Sequence, residues 1–191
     1  MRRELAESFD PQPHLIGTLL EIRPMREADH DALFEVARDP LVWEQHPASD
    51  RFKPEVFRAL FRESMASGGA MVVIDRADGS VAGSSRFHDF SAERRDVEIG
   101  WSYLARRYWG GRYNGEMKRL MLTHAFRFVD RVLFRVGPKN IRSQRALEKI
   151  GAVLRGTERE PTGREIVVFV IDREAFESGP LGAASASMRN G

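Results

Sequence analysis

Residues 109–118 read WGGRYNGEMK, a run whose residue types suit a bound anion. Gly110, Gly111 and Gly115 would let backbone amides approach closely, and Arg106, Arg107 and Arg112 add positive charge. The run lies where an alternating apolar segment gives way to a helical pattern. A helix start offers unpaired N–H groups and the positive end of a dipole, so it attracts phosphate. Neither G-x-x-x-x-G-K-[ST] nor G-x-G-x-x-G is present, which leaves a plain glycine turn ahead of a core helix as the alternative. A second stretch, NIRSQRALEKIG at residues 140–151, holds Asn140, which can cap a helix. Ser143 shares a helical face with Ala146, Leu147 and Ile150. Its hydroxyl either bonds back to a carbonyl of the preceding turn or points into a cleft where a proton must be delivered.

The composition removes several chemistries. With no cysteine among 191 residues, a Cys nucleophile, a thiolate metal site and a disulfide framework are excluded. No set of His, Asp and Glu has metal-ligand spacing. Thirty basic against twenty-eight acidic side chains leave a net charge of +2, which argues against bulk nucleic-acid binding. A hydrophobic share of 42% and a charged share of 30% are those of a soluble globular protein. The opening MRRELAESFDPQPH is basic but lacks an apolar h-region. No apolar run approaches the ~20 residues of a membrane span. A cytoplasmic location is the expectation.

The elements that must position these residues follow from hydrophobic periodicity. Strands are predicted at residues 19–24, 71–74, 81–90, 97–104, 133–136, 152–155 and 165–171. Helices are predicted at 28–39, which Asp29 could begin as its cap, after Pro54, from 114 to about 130, and at 140–150 with Gly151 as C-cap. In the fourth strand Val97, Ile99, Trp101 and Tyr103 alternate with Glu98, Gly100 and Ser102. The order is α+β, with three adjacent antiparallel strands and a parallel, right-handed β-α-β unit in the middle. Residues 1–17 read as an extended arm, 18–175 as the folded domain and 176–191 as a disordered tail.

Glu98-Ile99-Gly100-Trp101, then Tyr108-Trp109-Gly110-Gly111, then Asn140 to Leu147 with Lys149-Ile150-Gly151-Ala152, together resemble the GNAT acetyltransferase superfamily. More narrowly they resemble its branch of ribosomal-protein N-terminal (alanine) acetyltransferases. The likeness runs from about residue 19 to 171. It implies a mixed, mostly antiparallel sheet of about seven strands, splayed between the fourth and fifth and flanked by about four helices. It also implies acetyl-CoA as donor and no metal. The pyrophosphate would lie on backbone amides of Arg107, Trp109, Gly110, Gly111, Arg112, Tyr113, Asn114 and Gly115. The pantetheine arm would lie along Ser102, Tyr103 and Leu104, with Asn140, Ser143 and Ala146 contacting it from the next helix. The family loop usually carries a small residue where this chain has Arg112, whose side chain should alter the backbone or swing outward.

The reaction implied is transfer of the acetyl group to a primary amine by direct attack on the thioester. An alkylammonium must first lose a proton, and Glu98 is the candidate base, with Arg86 on the neighbouring strand as an alternative, purely structural partner. Ser143 would protonate the departing thiolate. Trp43, His46, Arg86 and His88 are candidates to border the acceptor, which is a protein N-terminus or a small molecule such as a polyamine, amino acid or antibiotic. Neither membrane nor direct nucleic-acid binding is expected, and a homodimer is left open. A non-catalytic acyl-CoA sensor and a plain interaction domain are the competing classes. Residues 40–54 and 156–164, which would select the acceptor, carry no readable code.

Overall fold

The computed structural model describes residues 8–182. The chain opens with β1 (Leu15–Ile16) and β2 (Leu20–Pro24), then α1 (His30–Ala37) and α2 (Pro54–Ala66). The strands β3 (Ala70–Asp75), β4 (Val81–Ser91) and β5 (Asp96–Leu104) lead into α3 (Arg112–Ala125) and β6 (Arg131–Val136). After α4 (Ile141–Lys149) come β7 (Val153–Arg159), β8 (Glu165–Asp172) and α5 (Arg173–Ser178). The strands form one sheet in the order β1-β2-β3-β4-β5-β6-β8-β7, antiparallel throughout except for the parallel pair β5–β6. This is the mixed, mostly antiparallel architecture expected, with one strand and one helix more. No helix among the described residues is long and apolar enough to cross a membrane.

The additions come from both ends. Within the expected arm, Leu15 and Ile16 pair with β2, and Phe9 stacks on Phe90 with centroids 4.6 Å apart. Past the expected domain end, Phe176 is buried against Phe126 at 5.2 Å. Helical spacing of apolar residues could not reveal this six-residue helix, which offers one buried side chain. Residues 1–7 and 183–191 of the expected arm and tail lie outside the described residues.

Two further differences have local causes. The helix expected to reach about residue 130 stops at Ala125, but the following turn still points Val129 fully inward, which mimics helical spacing. Asp29 does not cap α1 with its side chain. It accepts hydrogen bonds from Arg23 and, at 2.7 Å, from the Arg26 backbone N–H.

The sheet separates two apolar layers. Val97, Ile99 and Phe134 pack with Met117 and Met121 of α3. Leu33, Trp43, Phe57, Phe61 and Val72 form the layer under α1 and α2. Glu116 ties α3 to the chain start: its carboxylate accepts the backbone N–H groups of Thr18, Leu19 and Leu20 at 2.9, 2.7 and 2.7 Å. A Cβ on Gly17 would sit 2.7 Å from that carboxylate, so any larger residue there would have to displace it from those N–H groups.

The regular alternation expected along β5 fails at one residue. Trp101 has φ of 50°, in the left-handed region that a tryptophan rarely adopts. The β4–β5 register shifts opposite it, between Ser84 and Arg86. Val97 and Ile99 therefore face the α3 layer, whereas Trp101 and Tyr103 pack on the α1/α2 layer with Glu98 on their side. Ser102 turns toward α3.

Candidate active site

Strands β5 and β6 pair only through Asp96–Arg131, Val97–Val132 and Glu98–Leu133, and then part. The unpaired remainders, Gly100–Leu104 and Phe134–Val136, border a cavity of about 620 Å³ that also reaches the start of α3, the inner face of α4 and the loop after α1. The backbone groups of Ser102, Tyr103 and Leu104 on this wall have no β6 partner, so an extended ligand could use them as a strand edge.

At the start of α3, Gly110, Gly111, Asn114 and Gly115 line the cavity. Gly110 takes φ of 80°, and a Cβ at Gly110 or Gly111 would meet nothing within 4 Å, so these glycines face open space. Among the described residues no side chain caps α3. Its first N–H groups, which no preceding turn can satisfy, are available to an anion. Trp109 lines the cavity as well, with its Nε1–H held by the Leu104 carbonyl at 2.9 Å.

The side chains of three loop residues point away from the cavity, whatever their backbone amides do. Arg112 is the exposed first residue of α3 and does not border the cavity, so the side chain that departs from the family pattern swings outward. Arg107 donates to Ser80 Oγ and to the Tyr108 hydroxyl, both at 2.7 Å. Tyr113 packs edge-on against Tyr108, 4.7 Å between centroids.

On the opposite wall Asn140, Ser143 and Ala146 line the cavity together. Asn140 Oδ1 accepts the Ser143 N–H at 3.2 Å, so the residue does cap α4. Arg142 lies 3.9 Å over the Trp109 ring and donates to the Val42 carbonyl at 3.1 Å, which closes the cavity between α4 and the loop after α1. That arginine had no distinguishing sequence signal.

Lys118 is the least expected lining residue. It is 6% exposed on α3, with Nζ donating to Ser102 Oγ at 2.9 Å and lying 5.2 Å from the Phe134 ring centroid. Ser102 Oγ is in turn 2.8 Å from Ser85 Oγ. Burial lowers the lysine to about 7, so a substantial neutral fraction exists at neutral pH. Its position beside Met117 on an otherwise apolar helical face is the one feature of the sequence that could have marked it.

Glu98 stands at the point where the strands part, but it borders a smaller recess with Asp89, Asp96 and Arg135 rather than the main cavity. Its Oε2 accepts from Arg135 Nη1 at 2.7 Å, not from Arg86. Burial raises the Glu98 carboxyl above its ordinary range, and the nearby Arg135 charge opposes that rise. Arg135 lines both spaces, so it links the carboxylate to the cavity. Arg86 is buried, pairs with Glu63 at 2.9 Å and stacks 3.3 Å over Trp101, away from the cavity. His88 is exposed and touches the edge of Trp101. Trp43 and His46 do line the cavity, and Trp43 is fixed by its indole N–H on the Ala37 carbonyl at 2.7 Å.

Residues 20–153 match the model of the acetyltransferase (GNAT) domain family. No curated protein matches the chain by sequence. Among solved structures, a GCN5-related N-acetyltransferase from Brucella melitensis superposes with a TM-score of 0.77 at 20% identity, over 92% of this chain and 85% of that one. An acetyltransferase of the GNAT family from Bacillus anthracis gives 0.70 at 24% identity, over 85% and 99%. Mycobacterium smegmatis RimJ in complex with CoA-disulfide gives 0.64 at 19% identity, over 89% and 90%. At these identities the likeness is one of fold.

Proposed function

The chain belongs to the GNAT acetyltransferase family, and we propose that it transfers an acetyl group from acetyl-CoA to the nitrogen of a primary amine, with a protein N-terminal amine as the leading acceptor. The observation that carries this reading is the parting of β5 and β6 beside a glycine-led helix start that no described side chain caps. One cavity thereby joins a free strand edge, which suits an amide-containing arm, to free helix N–H groups, which suit phosphates. Acetyl-CoA supplies an activated acyl group with a thiolate leaving group.

The residues divide the remaining tasks. Ser102, Tyr103, Leu104 and Asn140 hold the arm, and the backbone from Gly110 to Gly115 holds the pyrophosphate. Glu98, its carboxyl lifted by burial, takes the proton that an ammonium must lose before its nitrogen can attack. Because Glu98 lies behind Arg135, that proton reaches it through water. Ser143 and Lys118 both line the cavity and can return a proton to the departing sulfur.

Calorimetry with acetyl-CoA, followed by thiol release with a panel of N-terminal peptides and small amines, tests this reading. Absence of acetyl-CoA binding removes it. Binding without turnover of any amine would favour an acyl-CoA sensor.

A further inference from the structure

Arg51 holds a guanidinium that no carboxylate among the described residues pairs with. It lies in the loop before α2 and lines the cavity, with Nη1 3.2 Å from His46 Nε2. His46 cannot accept that hydrogen. Its Nδ1 already accepts the Ala48 backbone N–H at 2.9 Å, so a neutral ring carries its single proton on Nε2. Burial and the Arg51 charge lower His46 to about 4, which keeps the ring neutral at physiological pH. Arg51 and His46 therefore turn two N–H groups toward one another with no acceptor between them.

The neighbouring charges deepen the deficit. Glu63 is the nearby carboxylate, but it is engaged by Arg86 at 2.9 Å. Arg164, from the turn between β7 and β8, adds positive charge that acts on both Arg51 and His46. Among the described residues no carboxylate forms an ion pair with Arg51. The rings of Trp43 and Tyr103, 4.9 Å apart, supply an apolar flank, with the guanidinium 5.5 Å from the Trp43 centroid. A half-buried cation without a hydrogen-bonded carboxylate is costly, and an anion that accepts from both N–H groups relieves that cost.

We propose that Arg51 and His46 form a carboxylate subsite, and that the acceptor is an amine that also bears a carboxylate. This rests on the acetyl-transfer reading above and narrows its acceptor. Free amino acids and peptides with an acidic residue after the N-terminal amine share the required chemistry.

Thiol release from acetyl-CoA is compared for alanine against alaninamide and for Ala-Asp-Gly amide against Ala-Asn-Gly amide. The carboxylate member of at least one pair should have kcat/KM higher by about tenfold or more. The responding pair tells a free amino acid from a peptide. Arg51→Gln should remove the preference through KM, and Arg51→Lys should keep part of it; thermal melts check that both variants fold. Equal rates within both pairs, or a preference intact in Arg51→Gln, overturn the proposal. So does an Arg51→Gln protein that instead stops distinguishing CoA from dephospho-CoA, because the anion then belongs to the donor.

A second measurement needs no turnover. N-acetylalanine should shift the ring nitrogen resonances of His46, whereas N-acetylalaninamide should not, and Arg51→Gln should abolish the shift. No shift with either compound overturns the subsite. A shift that persists in a protein with neither acetyl-CoA binding nor thiol release sinks the acetyl-transfer reading and leaves the subsite standing.

Discussion

Glu98 Oε2 accepts a 2.7 Å hydrogen bond from Arg135 Nη1 at the last rung on which β5 and β6 still pair. Arg135 Nε also reaches Glu158 on β7 at 3.2 Å, so one arginine links three strands where the sheet opens. Burial lifts the Glu98 carboxyl and Arg135 restrains it. Protonated Glu98 cannot take a proton, so the acid limb of the pH–rate profile should lie above the ordinary carboxylate range. Glu98→Gln should lower the rate at neutral pH with acetyl-CoA affinity nearly intact. Arg135→Met should move the acid limb further up in pH and cost about 1–3 kcal/mol of stability. An acid limb that stays in place in Arg135→Met removes Glu98 as the base.

Asn140 has two separable roles. Its Oδ1 caps α4 through the Ser143 N–H, and its amide also borders the cavity. Asn140→Ala should cost about 1 kcal/mol in stability from the lost cap. Asn140→Asp keeps an Oδ acceptor for the cap but loses the amide donor. Weakened acetyl-CoA binding in Asn140→Asp, at near-normal stability, would assign the asparagine to the cofactor. Unchanged binding would leave capping as its whole role.

How far the sequence could be read depended on the kind of signal. The main strands other than β7 and the helices α1 to α3 were legible because they bury periodic apolar sets, as Phe57, Leu60 and Phe61 do on α2, whereas β7 is exposed throughout and α4 buries only Leu147. Gly110, Gly111, Asn140 and Ser143 were legible as site residues because glycines before a helix and a capping asparagine have local signatures. The bulge at Trp101 was not: a positive φ at a tryptophan is imposed by pairing with β4, and no residue type announces it. Arg51 and Lys118 escaped for another reason. Their importance lies in a setting without a carboxylate, Lys118 buried beside Ser102 and Arg51 beside His46 and Trp43, which only the folded arrangement defines.

Glu116 should be a stability hinge remote from the cavity chemistry. It is 9% exposed and accepts three backbone N–H groups of the segment entering β2, with Arg119 at 3.4 Å as a further partner. Removing the acceptor leaves buried N–H donors unpaired, which costs about 1–3 kcal/mol for each that water cannot reach. Glu116→Ala should therefore lose about 3 kcal/mol or more in denaturant unfolding. Glu116→Gln, which keeps one oxygen, should lose less. Equal, small losses in both would show that water replaces the carboxylate.

Lys118 makes a prediction about pH that does not depend on any ligand. Burial in the seam holds its ammonium at about 7 against an ordinary 10.5, so between those values the unfolded chain binds more protons than the folded one. Stability contributed by this group therefore rises with pH through that window and is flat below it. Lys118→Met removes the ionisable group and keeps most of the apolar stem, while Ser102 Oγ retains Ser85 at 2.8 Å. Each tenfold loss of proton affinity on folding costs ~1.4 kcal/mol, part of which relaxation around the ammonium recovers. At pH 7 the variant should therefore be more stable than the parent by about 2–4 kcal/mol. That advantage should shrink steadily toward pH 10. Denaturant unfolding of both proteins at several pH values between 6 and 10 measures it. An advantage independent of pH would mean that the lysine keeps its charge in the folded protein, and Lys118 would then enter the site as a cation rather than as a neutral amine.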